Sequence, residues 1–273
     1  MRIRIMEWNI NQRSGGKKQD GYVPVIPEFV WEKMQDIQAH IIILTEFYKV
    51  EGWTEKIHTK FSDYKEFVTE NLHNDVLILI KKDLLPQNDR GQLIETAYFP
   101  FSSYDNNCPD YLDVSMRIGE KSVRIIGSRI IVDTKKRYGT PLYNSELQNR
   151  HRQGRTIVKR IQELIGEGTL VIGAGDFNTG RAINSNENWS SMVLRKDLQE
   201  VGVKLYIPEG QSHLGYTSPD LFFASNEITV TNLPPYNWEY TETNSGVYDD
   251  GQYTKTIDPP FPDHGILIAE IEM

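Results

Sequence analysis

Oxygen-bearing side chains stand at the ends of several apolar segments, where they could bind a hard metal ion. Glu46 directly follows the run IIILT at 41–45. A carboxylate at the end of a buried strand is costly unless it is paired or bound to a cation, and Mg²⁺ prefers oxygen ligands. The alternative is a strand end that emerges into water. Taken alone, Glu46 indicates either a metal ligand or a solvated strand end.

Two further segments carry polar side chains at a spacing that could bring them together around a ligand. In GAGDFN at 173–178 the glycines allow a sharp turn and a close backbone approach to a ligand. Asp176 and Asn178 would then point the same way, although a β-turn in which they only cap the next segment is the alternative. Near the end of the chain Asp263 precedes His264, so that a carboxylate could orient an imidazole. An isolated Asp-His pair would carry little information.

Five short motifs occur in a fixed order: WNIN at 8–11, LTE at 44–46, GDFN at 175–178, SPD at 218–220 and PDH at 262–264. In order and spacing they resemble the motifs of the endonuclease/exonuclease/phosphatase superfamily. This superfamily includes pancreatic-type deoxyribonucleases, exonuclease III-like abasic-site endonucleases, sphingomyelinases and inositol polyphosphate 5-phosphatases. The resemblance spans residues 3 to 271, and the GDFN element and the terminal Asp-His are its most specific parts.

The resemblance implies a metal site. Asn9 and Glu46 resemble the metal-binding pair, with Glu46 as the principal ligand. Asn11 stands where some members have an aspartate, and its amide would be a weaker ligand because it contributes no charge. Asp263 resembles a second carboxylate on the metal side or one that orients its neighbour. The implied cofactor is Mg²⁺, with Mn²⁺ as an alternative.

The resemblance also implies residues that act on the phosphate. Asp176 resembles the residue that orients or deprotonates the attacking water, and Asn178 the residue that holds a phosphoryl oxygen. Asp220 resembles a carboxylate that supports His264 or a neighbour. His264 resembles the imidazole that contacts the scissile phosphate, and nearby carboxylates would favour its charged form.

One position departs from the family pattern. Arg129 stands where many members have a histidine and others a tyrosine. An arginine can hold a phosphate through two parallel hydrogen bonds, but it cannot donate a proton because it stays charged. An ion pair with a nearby acid such as Asp176 is the alternative. The substitution therefore bears on substrate geometry more than on metal binding.

Basic residues also cluster on one predicted helix. The cluster consists of Arg150, His151, Arg152 and Arg155. It could face phosphates, but charge runs on helices usually point to water, and we favour that interpretation. The other histidines lack partners in the sequence and are assigned no role: His40, His58, His73, His151 and His213.

The elements that must position these residues follow from apolar periodicity. A helix is predicted to begin at Pro27, and a long helix is predicted over 144–166, opening at an Asn-Ser cap. Strands are predicted at 2–10, 41–44, 63–68, 75–81, 93–99, 111–118, 122–131, 169–174, 219–224, 227–231 and 264–271. The order mixes hairpins with strand-helix-strand units. It predicts an α+β fold, an α/β sandwich in which two mixed β-sheets pack face to face with helices outside in four layers, as one domain over 1–273.

Composition restricts the classes of partner. Thirty Lys and Arg against 38 Asp and Glu give a net charge of −8, the wrong sign for gripping long nucleic acid over many phosphates. Cys108 is the only cysteine, so an internal disulfide is excluded and a cytoplasmic location is expected. The start lacks the apolar run of a secretory signal. We expect a monomer without a membrane segment.

Three functions remain open from the sequence. The first is a phosphodiesterase acting on nucleic acid, DNA or RNA, as an endonuclease or exonuclease. The second is a phosphatase or diesterase for a small-molecule or lipid phosphate. The third is a binding module that keeps the fold without catalysis. Residues 232–262, rich in proline and tyrosine, are predicted to form a long surface loop that selects the substrate.

Overall fold

The structure is a computed structural model. It describes residues 1–12, 16–18, 21–70, 75–88, 98–101, 108–133, 141–179, 188–213, 217–239, 248–249, 252–253 and 262–273. Most of the predicted selectivity loop at 232–262, the first five residues of the predicted strand 93–99 and His73 lie outside these ranges.

The first sheet has six strands. In spatial order they are β13 (Thr229–Asn232), β16 (Leu267–Glu272), β1 (Arg2–Asn9), β4 (Ile41–Phe47), β6 (Asp75–Lys81) and β5 (Tyr64–Val68). β1 and β4 are parallel, and the other neighbours are antiparallel. The connection between the parallel pair contains helix α1 (Glu28–Ile37), which follows Pro27 as predicted. A crossover helix is what a parallel pair needs, because a tight turn cannot join parallel strands.

The second sheet also has six strands. In spatial order they are β11 (Val203–Tyr206), β12 (Asp220–Ser225), β10 (Leu170–Asp176), β9 (Lys121–Arg129), β8 (Asp110–Ile118) and β7 (Tyr98–Phe101). β8 and β9 form an antiparallel hairpin, which turns at Gly119 and Glu120. β9 and β10 are parallel, and helix α3 (Tyr143–Gly166) connects them.

The two sheets pack face to face around an apolar core. Side chains alternate along each strand, so Ile3 and Ile5 of β1 face the second sheet, while Met6 and Trp8 face outward. Helix α1 and helix α2 (Trp53–Lys60) cover the outer face of the first sheet. Helix α3 and helix α4 (Ser191–Glu200) cover the second. The predicted four-layer sandwich of two mixed sheets is confirmed.

Some elements differ from the prediction. Helix α3 begins at Tyr143 after Leu142, and no side chain caps it, so the predicted Asn-Ser cap is wrong. Short elements without a sustained apolar period escape prediction from the sequence: α2, α4, β11, the hairpin β2 (Gly16–Lys18) with β3 (Gly21–Val23), the hairpin β14 (Tyr248–Asp249) with β15 (Gln252–Tyr253), and a 3₁₀ turn at Lys82–Leu84. Each helix in the described part of the chain is too short or too polar to cross a membrane.

Candidate active site

On several strands, the side chains that face the other sheet are apolar along most of the strand and polar at one end. On β1 the alternation that buries Ile3 and Ile5 places Asn9 on the same face. On β10 it places Asp176 in line with Ile172 and Ala174. The polar residues that share this face are Glu7, Asn9, Thr45, Asp110, Arg129, Asp176 and Asp220, all buried. They form a polar floor at one end of the core.

A cleft of about 340 Å³ opens over this floor. Seven of the nine predicted site residues line it: Asn11, Glu46, Arg129, Asp176, Asn178, Asp263 and His264. The other two lie directly behind, because Asn9 donates a hydrogen bond to Asp176 and Asp220 pairs with His264. All nine predicted residues are thus brought together at the same edge of the two sheets.

Glu46 is turned into the cleft by an irregularity in β4. The register between β4 and β6 shifts between Leu44 and Phe47, and Glu46 adopts a φ of 54°. Its Oε1 accepts hydrogen bonds from Arg129 Nε at 3.1 Å and Asn9 Nδ2 at 3.3 Å. Among the described residues no donor reaches Oε2. Glu46 is therefore an oriented, partly buried carboxylate with one oxygen free, which argues against a solvated strand end.

Asp176 is held by two asparagines. Its Oδ2 accepts from Asn9 Nδ2 at 3.0 Å and from Asn178 Nδ2 at 2.9 Å, and its Oδ1 accepts from the Asn178 backbone N–H at 2.9 Å. Burial, followed by the charge of Asp220, raises the pKa of Asp176. The carboxylate is fixed in place and more basic than an exposed aspartate.

Asn178 lines the cleft, and its amide group is held by other parts of the protein. Its second amide hydrogen goes to the carbonyl of Ile130 at 2.8 Å, so both N–H groups are already engaged. In this arrangement the amide has no hydrogen left for a phosphoryl oxygen. The geometry makes Asn178 a positioning residue for Asp176.

His264 is oriented by Asp220. Its Nδ1 lies 2.8 Å from Asp220 Oδ2, and both side chains are buried. Burial lowers the pKa of His264, but the charge and hydrogen bond of Asp220, with the charges of Asp263 and Asp176, outweigh this and raise the pKa to about 10. The imidazole is therefore a cation at neutral pH. Nδ1 is engaged by Asp220, which leaves Nε2 for other contacts.

Asp263 pairs with residues other than His264. Asn11 Nδ2 donates to its Oδ1 at 3.1 Å, and His213 Nε2 lies 3.7 Å from its Oδ2. Burial raises the pKa of Asp263, but the nearby His213 ring and the charge of His264 lower it to about 2. The carboxylate that orients His264 is thus Asp220, and Asp263 stays ionised beside it.

Arg129 forms ion pairs with nearby acids, as in the alternative interpretation, and these acids are Glu46 and Asp110, whereas the sequence suggested Asp176 as an example. Its Nη2 lies 2.8 Å from Glu46 Oε1, and its Nη1 lies 3.4 Å from Asp110 Oδ2. Burial lowers the pKa of Arg129, whereas Glu46 and Asp110 raise it by more. A buried guanidinium thus neutralises part of the acidic floor.

The fold was compared with known proteins. The sequence matches no protein-family model and no curated protein. Among solved structures, D. rerio TDP2 complexed with a single-stranded DNA product has 13% identity and a TM-score of 0.60, covering 100% of this chain and 99% of that chain. A Bacteroides thetaiotaomicron endonuclease/exonuclease/phosphatase family protein has 11% identity and a TM-score of 0.63, with coverage of 99% and 97%. This chain has the endonuclease/exonuclease/phosphatase fold.

A third solved structure has the same fold. The human Nocturnin catalytic domain with a bound sulfate anion has 13% identity and a TM-score of 0.61, covering 99% of this chain and 94% of that chain. The endonuclease/exonuclease/phosphatase fold that the sequence motifs imply is therefore confirmed.

Residues with a strained backbone conformation are concentrated at the active-site cleft. Within the described residues, four that are not glycine have a positive φ, and three of them are Asn11 at 40°, Glu46 at 54° and Asn178 at 43°. Such conformations cost about 1–3 kcal/mol each and persist where surrounding contacts enforce them, commonly at functional sites. The strain turns these polar side chains out of the regular strand direction and toward the cleft.

Four residues at the site are not identified from the sequence. Asp110 and Glu7 continue the inter-sheet alternation of their strands, a signal that could find them once the strands are known. His213 stands next to His264, with ring centroids 4.6 Å apart, through pairing that no local motif reveals. Arg150 is buried and donates to the Asn178 carbonyl at 3.0 Å, so the expected solvated position is wrong for it.

The donor set of the cleft fits a hard dication. Glu46 Oε2 is free of described donors. The ligand atoms of Asp263, His213 and His264 lie within 4.8 Å of one another, but the charged His264 has no lone pair for a metal ion, so Glu46 and Asp263 are the candidate ligands. Carboxylates outnumber cations on the polar floor. Glu7 belongs to this floor, and its pKa is raised by burial and by the charge of Asp220. Oxygen ligands with excess negative charge are what Mg²⁺ binds.

Proposed function

We propose that the protein is a divalent-metal-dependent phosphoesterase that hydrolyses a phosphodiester, with nucleic acid as the substrate class. One observation carries the proposal. The Asp220–His264 pair, at 2.8 Å, lies in the same cleft as a Glu46 carboxylate with a free oxygen and an immobilised Asp176. A cationic imidazole, a candidate metal ligand and a candidate base around one space are the groups that in-line phosphoryl transfer requires.

Glu46 is the principal candidate metal ligand, with Asn9 Oδ1 and Asp263 as further oxygen donors. Asn9 Oδ1 already accepts from the Asn11 N–H at 3.0 Å, and the Asn11 amide nitrogen donates to Asp263. Asn11 would therefore position two ligands in addition to offering its own amide oxygen. A bound Mg²⁺, with Mn²⁺ as the alternative, would neutralise charge that builds on the phosphate oxygens and the leaving group.

Asp176 is the candidate for orienting and deprotonating the attacking water. Its raised pKa makes it a better proton acceptor than an exposed aspartate, because catalytic efficiency increases as the pKa approaches the working pH. The hydrogen bonds from Asn9 and Asn178 fix its direction. A fixed base reduces the entropy that must be lost in the transition state.

His264 is the candidate donor to the scissile phosphate. Its charged form persists at neutral pH because of Asp220, and a charge-assisted hydrogen bond is stronger than a neutral one. Arg129 and Arg150 also line the cleft and add positive charge to it. Together these cations would hold the phosphate oxygens.

One neighbour of the fold supports nucleic acid as the substrate class. D. rerio TDP2 is complexed with a single-stranded DNA product. The single cysteine, Cys108, supports action in the cytoplasm, where thiols stay reduced. A binding module without catalysis would have no chemical use for a buried, strained cluster of this kind.

The size of the cleft favours a second candidate, a small-molecule phosphoesterase. At about 340 Å³ the cleft lies at the lower end of small-ligand sites, and it has room for one phosphate and its immediate substituents. A longer substrate would have to extend over the surrounding surface. The two candidates therefore differ in whether residues outside the cleft contribute to kcat/KM.

A Mg²⁺-dependent activity screen tests the proposal. The purified chain is incubated with a single-stranded oligonucleotide, an abasic-site duplex, RNA, bis(4-nitrophenyl) phosphate and 4-nitrophenyl phosphate, each with Mg²⁺ or with EDTA. We expect cleavage of the diesters with Mg²⁺ and a higher kcat/KM for the oligonucleotide than for the small diester. Turnover of the small esters alone would favour the second candidate. Equal rates with Mg²⁺ and EDTA would refute both.

A further inference from the structure

A second and larger cleft lies on the outer face of the second sheet, between α3 and α4. We call it the α3–α4 groove, and its volume is about 990 Å³. Four basic side chains line it, three on α3 and one on α4: Arg152, Arg155, Lys159 and Lys196. All four are exposed. The groove is therefore a concentration of accessible positive charge on a chain whose net charge is −8.

The positive charge of the groove is only partly offset by acidic residues. Its lining includes two acids, Asp197 and Glu200, and Asp197 pairs with His151 at 3.3 Å. Arg155, Lys159 and Lys196 make no ion pair or hydrogen bond with the residues that the structure describes. Cations that are held close together without acidic partners repel one another, and an anionic ligand relieves that repulsion.

Helix α3 connects the groove to the active-site cleft. Arg150 lines the cleft, and the next two residues, His151 and Arg152, line the groove. From Arg150 to Lys159 the helix rises about 14 Å, at 1.5 Å per residue. This length matches an extended ligand with several negative charges better than a single phosphate.

We propose that the α3–α4 groove binds the phosphate backbone of a single-stranded nucleic acid whose neighbouring phosphodiester occupies the active-site cleft. The proposal rests on the proposed function, because it assigns the groove and the cleft to the same strand. The lining supplies lysine and arginine side chains but no aromatic ring other than His151, which is stacked on Trp189. The groove therefore contacts phosphates without reading bases. It also accounts for nucleic-acid binding by an acidic protein, since the binding charge is local.

The test measures binding separately from turnover. A fluorescein-labelled oligothymidylate of 12 nucleotides is titrated with the full chain in EDTA, and anisotropy gives the Kd at several salt concentrations. The groove variant is the double substitution Arg155→Glu and Lys196→Glu. The matched control, Arg117→Glu with Arg195→Glu, makes the same charge change at two exposed positions that do not line the groove.

We expect the groove variant to raise Kd at least about tenfold relative to the control and to reduce the slope of log K against log salt by about 1.4, as expected for the loss of two phosphate contacts on a single strand. Hydrolysis of bis(4-nitrophenyl) phosphate should be unchanged in both variants. A Kd that rises equally in both variants would overturn the proposal, as would equal displacement of the oligonucleotide by an acidic peptide of the same charge. Groove-dependent binding without any metal-dependent hydrolysis would refute the proposed function alone.

Discussion

Arg129 contacts a single oxygen of Glu46 with two nitrogen atoms: Nε donates a hydrogen bond at 3.1 Å, and Nη2 lies 2.8 Å away in the ion pair. The other carboxylate oxygen of Glu46 has no donor among the described residues, and Glu46 lines the cleft. The buried Arg129 guanidinium thus engages Oε1 of Glu46, and Oε2 is available as a metal ligand. Arg129 also contacts Asp110, so it links a candidate metal ligand to the floor of the site.

This pairing predicts that Arg129 is needed for stability as well as for substrate geometry. Arg129→Gln should lower the free energy of unfolding by about 3 kcal/mol, because removing one partner leaves buried carboxylates uncompensated. Urea unfolding measures the loss. Millimolar Mg²⁺ should recover part of it by neutralising Glu46. Wild-type stability in the absence of metal would contradict the pairing.

The Asp220–His264 pair predicts a pH dependence. The pKa of His264 is raised from 6.5 to about 10, so the stabilisation by its charged form is fully present below about pH 6.5 and is lost as the pH rises through 10. If His264⁺ contacts the phosphate, kcat/KM should fall on the same alkaline limb. Asp220→Asn should move that limb to lower pH by more than one unit, since it removes the main charge that raises the pKa.

The pH profile of kcat/KM for wild type and Asp220→Asn checks this prediction, and NMR titration of the histidine ring assigns the limb. Glu209→Gln is a suitable control because Glu209 is exposed. An alkaline limb at the same pH in wild type and Asp220→Asn would show that His264 does not control the profile.

Gly175 predicts a local effect on the GDFN segment. A Cβ at Gly175 would lie 1.8 Å from the backbone oxygen of Ser128 on the neighbouring strand. The glycine therefore permits close approach between strands, whereas the sequence suggested close approach to a ligand. Gly175→Ala should destabilise the protein by more than about 2 kcal/mol, because backbone must shift.

Gly166 is the matched control for this substitution. A Cβ there meets nothing within 4 Å, and the residue lies in the last turn of α3. Gly166→Ala should leave stability unchanged or raise it slightly, since alanine favours the helix. Thermal unfolding compares the two variants. Equal melting temperatures for Gly175→Ala and wild type would show that the strands are not held this close.

Much of the fold is predictable, because the pattern of apolar residues shows where the long strands lie and which of their side chains face the core. Asn9, Glu46 and Asp176 follow such runs directly, so their meeting at one edge can be anticipated from the sequence. Asp110 escapes because it begins an antiparallel strand, and only the register with β9 brings it opposite Arg129. His213 escapes because its proximity to His264 depends on tertiary pairing alone. Helix α4 escapes because only two of its apolar residues, Leu194 and Leu198, are buried, whereas α1 of the same length buries four.

The measurement that tests the account most directly is the Mg²⁺-dependent hydrolysis rate of bis(4-nitrophenyl) phosphate by wild type, Glu46→Gln and the exposed control Glu55→Gln. We predict that Glu46→Gln lowers kcat/KM by at least about a hundredfold while the protein stays folded in EDTA, although its melting temperature is lower because Arg129 loses an ion-pair partner, and that Glu55→Gln has no effect. Folded Glu46→Gln protein with the wild-type metal-dependent rate would contradict the claim that this cleft is the phosphoesterase site.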